Sequence, residues 1–274
     1  MNKKKLLTYL LPLAGGAAAA GLRYAAVQRA VDPGTGIPVS PGWIGASYAA
    51  MAAAGALALI YSLLQGKKQA KNPRSARSLP VKGLTAAASL LLVLAASAAF
   101  FSLAGQGSSP MTMAQAALSL ACGAAVFAAF KAEGSQSEAV GLLTLAPVFY
   151  SAFQLLSFYR ANNANPLIYS FAAELFAYIA VMFAFYAASA VHFGKPRPRL
   201  QLFCCLTGLF LLTAVLLSDN LLPFFTKGYV HLSTADLLSM AAFLALLCAQ
   251  LWPLEPAPAQ EGEPGPDSPS TPAD

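Results

Sequence analysis

The chain has 274 residues, of which 57% are hydrophobic and only 10% are charged, whereas soluble domains average about 25% charged residues. The apolar residues form long blocks, and a helix needs about 20 mostly apolar residues to cross a bilayer. These features exclude an ordinary soluble domain and predict an all-α fold, a polytopic bundle of transmembrane helices.

The net charge of +6 does not indicate nucleic-acid binding. Residues 253–274 carry five acids and no base, so the other 252 residues carry 17 bases against six acids. Most of these bases lie in short connections between apolar blocks, and such placement sets the orientation of a membrane protein.

Eight apolar blocks are long enough to cross a bilayer. The predicted spans are 6–30, 43–65, 83–105, 112–131, 138–159, 166–192, 200–218 and 233–252. Residues 1–252 are therefore predicted to form one transmembrane domain. The tail 253–274 is acidic, rich in proline and almost without large apolar side chains, so it is predicted to be a disordered tail on the cytoplasmic side.

The first span has an alternative interpretation. The stretch MNKKKLLTYLLPLAGGAAAAG (1–21) resembles the basic and apolar regions of a signal peptide, with a small-residue cleavage site at its end. Because the apolar stretch continues through Arg23 to Arg29, an uncleaved first span is favoured. Cleavage would leave seven spans with the same orientation for the rest.

The distribution of bases predicts that both termini are cytoplasmic, as expected for a protein of a bacterial cytoplasmic membrane. With that orientation, 13 of the 17 bases lie inside. The four on the outer side are Arg23, Arg29, Arg160 and Lys227.

The connection 66–82 is the most basic segment, with six bases and no acid. It is interpreted as a topology signal that contacts anionic lipid headgroups of the bilayer. It has no aromatic residues on which bases could stack, so no nucleic-acid partner is predicted. A protein partner is left open.

Three common motifs of catalytic, zinc-binding and phosphate-binding sites are missing from the sequence. It contains no GxSxG nucleophile elbow, no HExxH zinc motif and no GxxxxGK[ST] phosphate loop. The four cysteines all lie inside apolar runs and are interpreted as small buried hydrophobes. No cofactor and no metal site is predicted, and a membrane-embedded enzyme is the least favoured class.

Two acidic positions near span ends are interpreted as structural. Asp236 follows Ser233 by three residues at the start of the last span, which predicts a helix cap. Asp219 closes the seventh span and is predicted to mark a surface boundary, with the stretch 218–225 along the outer interface.

Glu174 is the feature most suggestive of a functional site, because it is an acid within a long apolar run. A charged side chain at the centre of a span costs about 2.5–3.5 kcal/mol and therefore usually finds a partner. Pro166 precedes it by eight residues, which predicts a depth of about 12 Å below the outer end of the helix. Ser170 and Tyr178 flank it at a spacing of four residues and predict a polar stripe.

Arg23 and Gln154 are predicted at a similar depth in spans one and five. Behind Arg23, at helical spacing, are Ala19, Gly16 and Pro12, a narrow face suited to close helix packing. Pro147 predicts a kink in the helix that carries Gln154.

These polar groups suggest an outward-facing ligand pocket. The candidate ligand-binding residues are Glu174, Arg23, Gln154, Tyr178 and Ser170. The alternative is an Arg23–Glu174 pair that only fixes helix register. The favoured function is accordingly a non-catalytic scaffold, sensor or accessory subunit. The second choice is a small-molecule transporter or permease subunit.

Overall fold

The computed structural model describes residues 3–30, 41–69, 79–106, 109–132, 138–163, 171–223 and 232–251. The described residues form helices and no strand. The elements are α1 (Lys3–Ala30), α2 (Pro41–Gln69), α3 (Leu79–Gln106), α4 (Pro110–Lys131), α5 (Glu138–Leu143), α6 (Ala146–Asn162), α7 (Ala172–His192), α8 (Pro198–Leu216), a π-helical segment (Leu217–Leu221) and α9 (Thr234–Leu251).

The predicted all-α membrane bundle is confirmed. Within the described ranges, seven helical stretches are long and apolar enough to cross a membrane, with α5 and α6 together forming one of them. The first predicted span, 6–30, corresponds to α1, which has 28 residues and at 1.5 Å per residue is about 42 Å long. It packs against α8 and α2.

The fifth predicted span is broken where Pro147 predicts a kink. The helix α5 ends at Leu143, whose carbonyl a proline ring four residues later would meet. A turn at residues 144 and 145 follows, and α6 begins at Ala146 with Pro147 in its first turn.

Helix α8 lies at the centre of the bundle and contacts α1, α2, α7 and α9. Its contact with α1 is close because of Gly16. A Cβ atom at that position would lie 2.7 Å from the carbonyl oxygen of Phe210 and 2.8 Å from Cβ of Thr213. The small-residue face predicted behind Arg23 therefore packs against α8.

The ends of several elements differ from the predicted boundaries. The basic connection 66–82 is shorter than predicted, because α2 extends to Gln69 and α3 begins at Leu79. Ser170, the predicted start of span six at Pro166, and the tail 253–274 lie outside the described residues. The predicted cap of the last span is confirmed: the backbone N–H of Asp236 donates to the Ser233 hydroxyl at 3.2 Å.

Candidate functional site

Arg23, Glu174 and Asp219 form a buried group that we call the charge triad. Nη2 of Arg23 donates to Oε1 of Glu174 at 2.9 Å and to Oδ2 of Asp219 at 3.1 Å. All three residues are buried, with exposed fractions of 7%, 3% and 8% respectively. A single nitrogen thus joins two carboxyl groups that come from two other elements.

Each member of the triad is positioned by a distinct local feature. The close approach of α1 to α8 at Gly16 precedes Arg23 by two helical turns. Glu174 lies in the first turn of α7, where the helix dipole favours a negative charge. Asp219 lies in the π-helical segment, where the N–H of Leu222 bonds to the carbonyl of Leu217, five residues back.

The two carboxyl groups are not equivalent. Both oxygens of Asp219 accept hydrogen bonds, since the Ser218 hydroxyl donates to Oδ1 at 2.7 Å and Arg23 donates to Oδ2. Glu174 accepts one from Arg23 at Oε1, while its Oε2 is buried and has no hydrogen-bond partner among the described residues.

One guanidinium does not balance two ionised carboxylates. An uncompensated ion removed from water costs several kcal/mol. The N-terminus of α7 would offset only about 0.3–1 kcal/mol of that cost for Glu174. With both carboxyl groups ionised, the triad would therefore carry a surplus negative charge that nothing in it balances.

Gln154 lies in a separate group, the hydroxyl–amide cluster of Tyr150, Gln154 and Ser239. Nε2 of Gln154 donates to the Tyr150 hydroxyl at 2.9 Å, and that hydroxyl lies 2.6 Å from the Ser239 hydroxyl. Ser239 donates its own proton to the carbonyl of Ala235 at 2.8 Å. The Tyr150 hydroxyl therefore donates to Ser239, which gives a one-way chain of hydrogen bonds from α6 to α9.

Tyr178 lies between the two groups. Its ring packs edge-on against Phe243 with centroids 6.4 Å apart, and Phe243 in turn contacts the ring of Tyr150 at 5.7 Å. Of the candidate pocket residues, the structure thus joins Arg23 to Glu174, places Gln154 in the second cluster and packs Tyr178 among aromatic rings.

Asp219 is the member of the site that sequence reasoning missed. Its prediction as a surface boundary was wrong, because the residue is only 8% exposed and its side chain is bonded to Arg23. The sequence SDN at the end of an apolar run is typical of a turn, and this pattern led to the interpretation of Asp219 as a surface residue. The signal that could have found it is its charge beside a buried span end, together with an arginine at matching depth.

Near the N-terminal end of α4 and the C-terminal end of α6, a surface groove is lined by Ser109, Pro110, Met111, Ser157, Arg160 and Ala161. It includes none of the candidate pocket residues. Among the described residues, no group of three or more His, Cys, Asp or Glu side chains is arranged to hold a metal ion.

The fold and the triad define an all-α, multi-pass bundle of the integral membrane class, with charged groups buried among its helices. No family model, curated protein or solved structure matches the chain.

Proposed function

We propose that this chain is a non-catalytic integral membrane protein, acting as a scaffold, sensor or accessory subunit, whose bundle is fixed by the charge triad. The observation that carries the proposal is the contact of Nη2 of Arg23 with Glu174 and Asp219 at 2.9 and 3.1 Å. These contacts join α1, α7 and the π-helical segment, three elements that are distant in sequence.

The contacts of Arg23 argue against an anion-binding pocket. A ligand carboxylate or phosphate that used Nη2 would have to displace Glu174 or Asp219, which already accept from it. The displaced carboxylate would then be buried with a weakened counterion. A structural or switching role for the triad requires no such displacement.

The proposed setting is a bacterial cytoplasmic membrane with both termini inside. The support is the 13 of 17 bases that this orientation places on the cytoplasmic side. The segment 66–82 is proposed to contact anionic headgroups there, with about 1 kcal/mol for each base near the surface.

A transporter of cationic solutes is the second candidate. One membrane-crossing stretch is interrupted, at the turn between α5 and α6, and α8 passes into a π-helical segment at its end. Interrupted helices form substrate and ion sites in many transporters. The surplus carboxyl group of the triad would suit a cation and not an anion.

Thermal unfolding of the purified chain in detergent tests the proposal. Arg23→Gln should lower the free energy of unfolding by about 3–5 kcal/mol, because it leaves buried carboxyl groups without their counterion. Arg29→Gln is the matched control, since Arg29 is exposed and stacks over Trp43 at 5.2 Å. The free energy of unfolding of this control should fall by no more than about 1 kcal/mol.

A solute screen on the same protein distinguishes the two candidates. Amino acids, organic amines, sugars and alkali cations are each added during unfolding, since any solute that binds only the folded state raises its stability. A scaffold or accessory subunit is expected to show no shift of the wild-type transition with any solute, whereas a sensor is expected to be stabilised by its ligand. A cation that stabilises the wild type and fails to stabilise Glu174→Gln would favour the cation transporter over the scaffold.

A further inference from the structure

The charge triad has one more acidic group than it has bases. Arg23 is the only base in it, and Glu174 and Asp219 both converge on its Nη2 atom. With both carboxyl groups ionised, the triad would carry one net negative charge among apolar helices. A proton on one of the two carboxyl groups removes that charge without any new side chain.

The hydrogen bonds identify which carboxyl group takes the proton. Asp219 is held as an anion, because Ser218 and Arg23 donate to its two oxygens at 2.7 and 3.1 Å. Glu174 accepts a hydrogen bond only at Oε1, from Arg23. Its Oε2 is buried and receives no hydrogen bond from any described residue, so this is the atom that a proton would occupy.

We propose that the triad is a proton-binding site in which Glu174 carries one exchangeable proton while Arg23 and Asp219 form the ion pair. Binding moves one proton from water to Oε2 of Glu174, and release returns it to water. No oxidation or reduction accompanies the step. Loss of the proton leaves two anions at one guanidinium, which opposes the joint binding of Glu174 on α7 and Asp219 on the π-helical segment to Arg23.

Other titratable groups near the triad do not supply this proton near neutral pH. Tyr48 of α2 interacts with Arg23, and Tyr150 and Asp236 interact with Tyr178 beside the site. Tyrosines ordinarily titrate near pH 10. Asp236 is partly exposed and accepts hydrogen bonds from Gln115 and Ser233 at its two oxygens. Helix α8 carries the thiols Cys204 and Cys205 and, in its first turn, Arg199.

Infrared spectroscopy tests the proposal on the full-length wild-type protein in detergent at pH 7. A protonated carboxylic acid has a carbonyl stretch that ionised carboxylates lack, and it shifts on transfer to D₂O. We expect one such band in the wild type and in Glu138→Gln, whose exposed side chain makes it the matched control. The band should be lost in Glu174→Gln. Its absence from the wild type would overturn the proposal even if a variant failed to fold.

The pH dependence of unfolding is the second measurement. If the folded state holds one proton that the unfolded chain releases, stability falls as pH rises above the ordinary glutamate range, by up to tenfold in the unfolding constant for each pH unit. Glu174→Gln should abolish this decline of stability with rising pH, and Asp236→Asn and Glu138→Gln should retain it. In Asp219→Asn, Glu174 becomes the counterion of Arg23, so the decline with rising pH should disappear.

Two results would contradict the site as proposed. One is an unchanged pH slope in Glu174→Gln. The other is stabilisation of the wild type by Na⁺ relative to choline that Glu174→Gln abolishes, which would make the site one for a metal cation. The Na⁺ result is shared with the solute screen above and would contradict both proposals, whereas an unchanged pH slope in Glu174→Gln would contradict the proton site alone.

Discussion

Tyr150 occupies the middle of the chain of hydrogen bonds that joins α6 to α9. Its hydroxyl accepts from Gln154 and donates to Ser239, and all three side chains are buried. In hydrocarbon no water replaces a lost partner, although measured interhelical hydrogen bonds in membranes are modest, averaging about 0.6 kcal/mol and reaching about 1.7. The tyrosine hydroxyl makes one such bond, to Ser239 of α9, and accepts a second hydrogen bond from Gln154 within α6.

Removing that hydroxyl should therefore destabilise the bundle measurably. We expect Tyr150→Phe to lower the free energy of unfolding by about 1–2 kcal/mol, because Gln154 loses its acceptor and Ser239 its donor. Tyr159→Phe is the control from the same helix, since Tyr159 is 55% exposed and should change stability by less than about 0.5 kcal/mol. Equal effects of the two changes in thermal unfolding would show that the cluster does not join α6 to α9.

The side chains of the site were partly predictable from the sequence. Arg23 and Glu174 were detectable because each is a charge inside an apolar run, and insertion costs require such charges to find partners. The grouping of Gln154 with them rested on equal depth alone. Depth does not specify which face of a helix meets which neighbour, and Gln154 bonds instead to Tyr150, whose hydroxyl contacts Ser239 of α9.

At the scale of the helices, the seam between α1 and α8 depends on a single missing side chain. The backbone of α8 lies so close to Gly16 that a Cβ atom there would be 2.7 Å from the carbonyl oxygen of Phe210. A carbonyl oxygen within a helix cannot rotate away as a side chain can. Any larger residue must therefore push the two helices apart.

Gly16→Ala should consequently cost about 1–3 kcal/mol in the free energy of unfolding, as overpacking generally does. Gly21→Ala is the matched control in the same helix, because nothing lies within 4 Å of a Cβ atom there. The control should be neutral or stabilise α1 by up to about 1 kcal/mol, since alanine is the better helix former. If both variants unfold at the same temperature, α1 is not packed against α8 as described.

The helices themselves were more predictable than their contacts. Span boundaries follow from where apolar runs end, and the break before Pro147 follows from the missing N–H and the steric demand of its ring. The π-helical segment had no such signal, because residues 217–221 contain neither proline nor glycine. It depends on the position of Asp219 in the bundle, which only the assembled helices define.

The whole molecule has its most buried helix, α8, at the centre and its least buried long helix, α2, at the periphery. The basic connection after α2 therefore belongs to a helix with a largely lipid-facing surface, where contact with headgroups is accessible. Orientation across the membrane is a property of the whole chain, since it depends on the sum of bases on each side. It is therefore best tested at two points far apart.

Cysteine labelling in intact cells tests the orientation with both termini inside. Glu138, at the start of α5, and Arg160, near the end of α6, are both exposed and lie at opposite ends of one membrane-crossing stretch. A membrane-impermeant maleimide should label Arg160→Cys in intact cells and Glu138→Cys only after permeabilisation. Wild type sets the background, because Cys122, Cys204 and Cys205 are buried and Cys248 is half-buried.

Neither substitution weakens the charge bias on which the predicted orientation depends. Arg160→Cys removes one of the four bases on the outer side and so strengthens the bias, while acidic residues such as Glu138 contribute little to orientation. Labelling of Glu138→Cys in intact cells, with Arg160→Cys protected, would show that the protein has the opposite orientation in the membrane. The charge triad would then lie nearer the cytoplasmic face, and its proton would exchange with the cytoplasm.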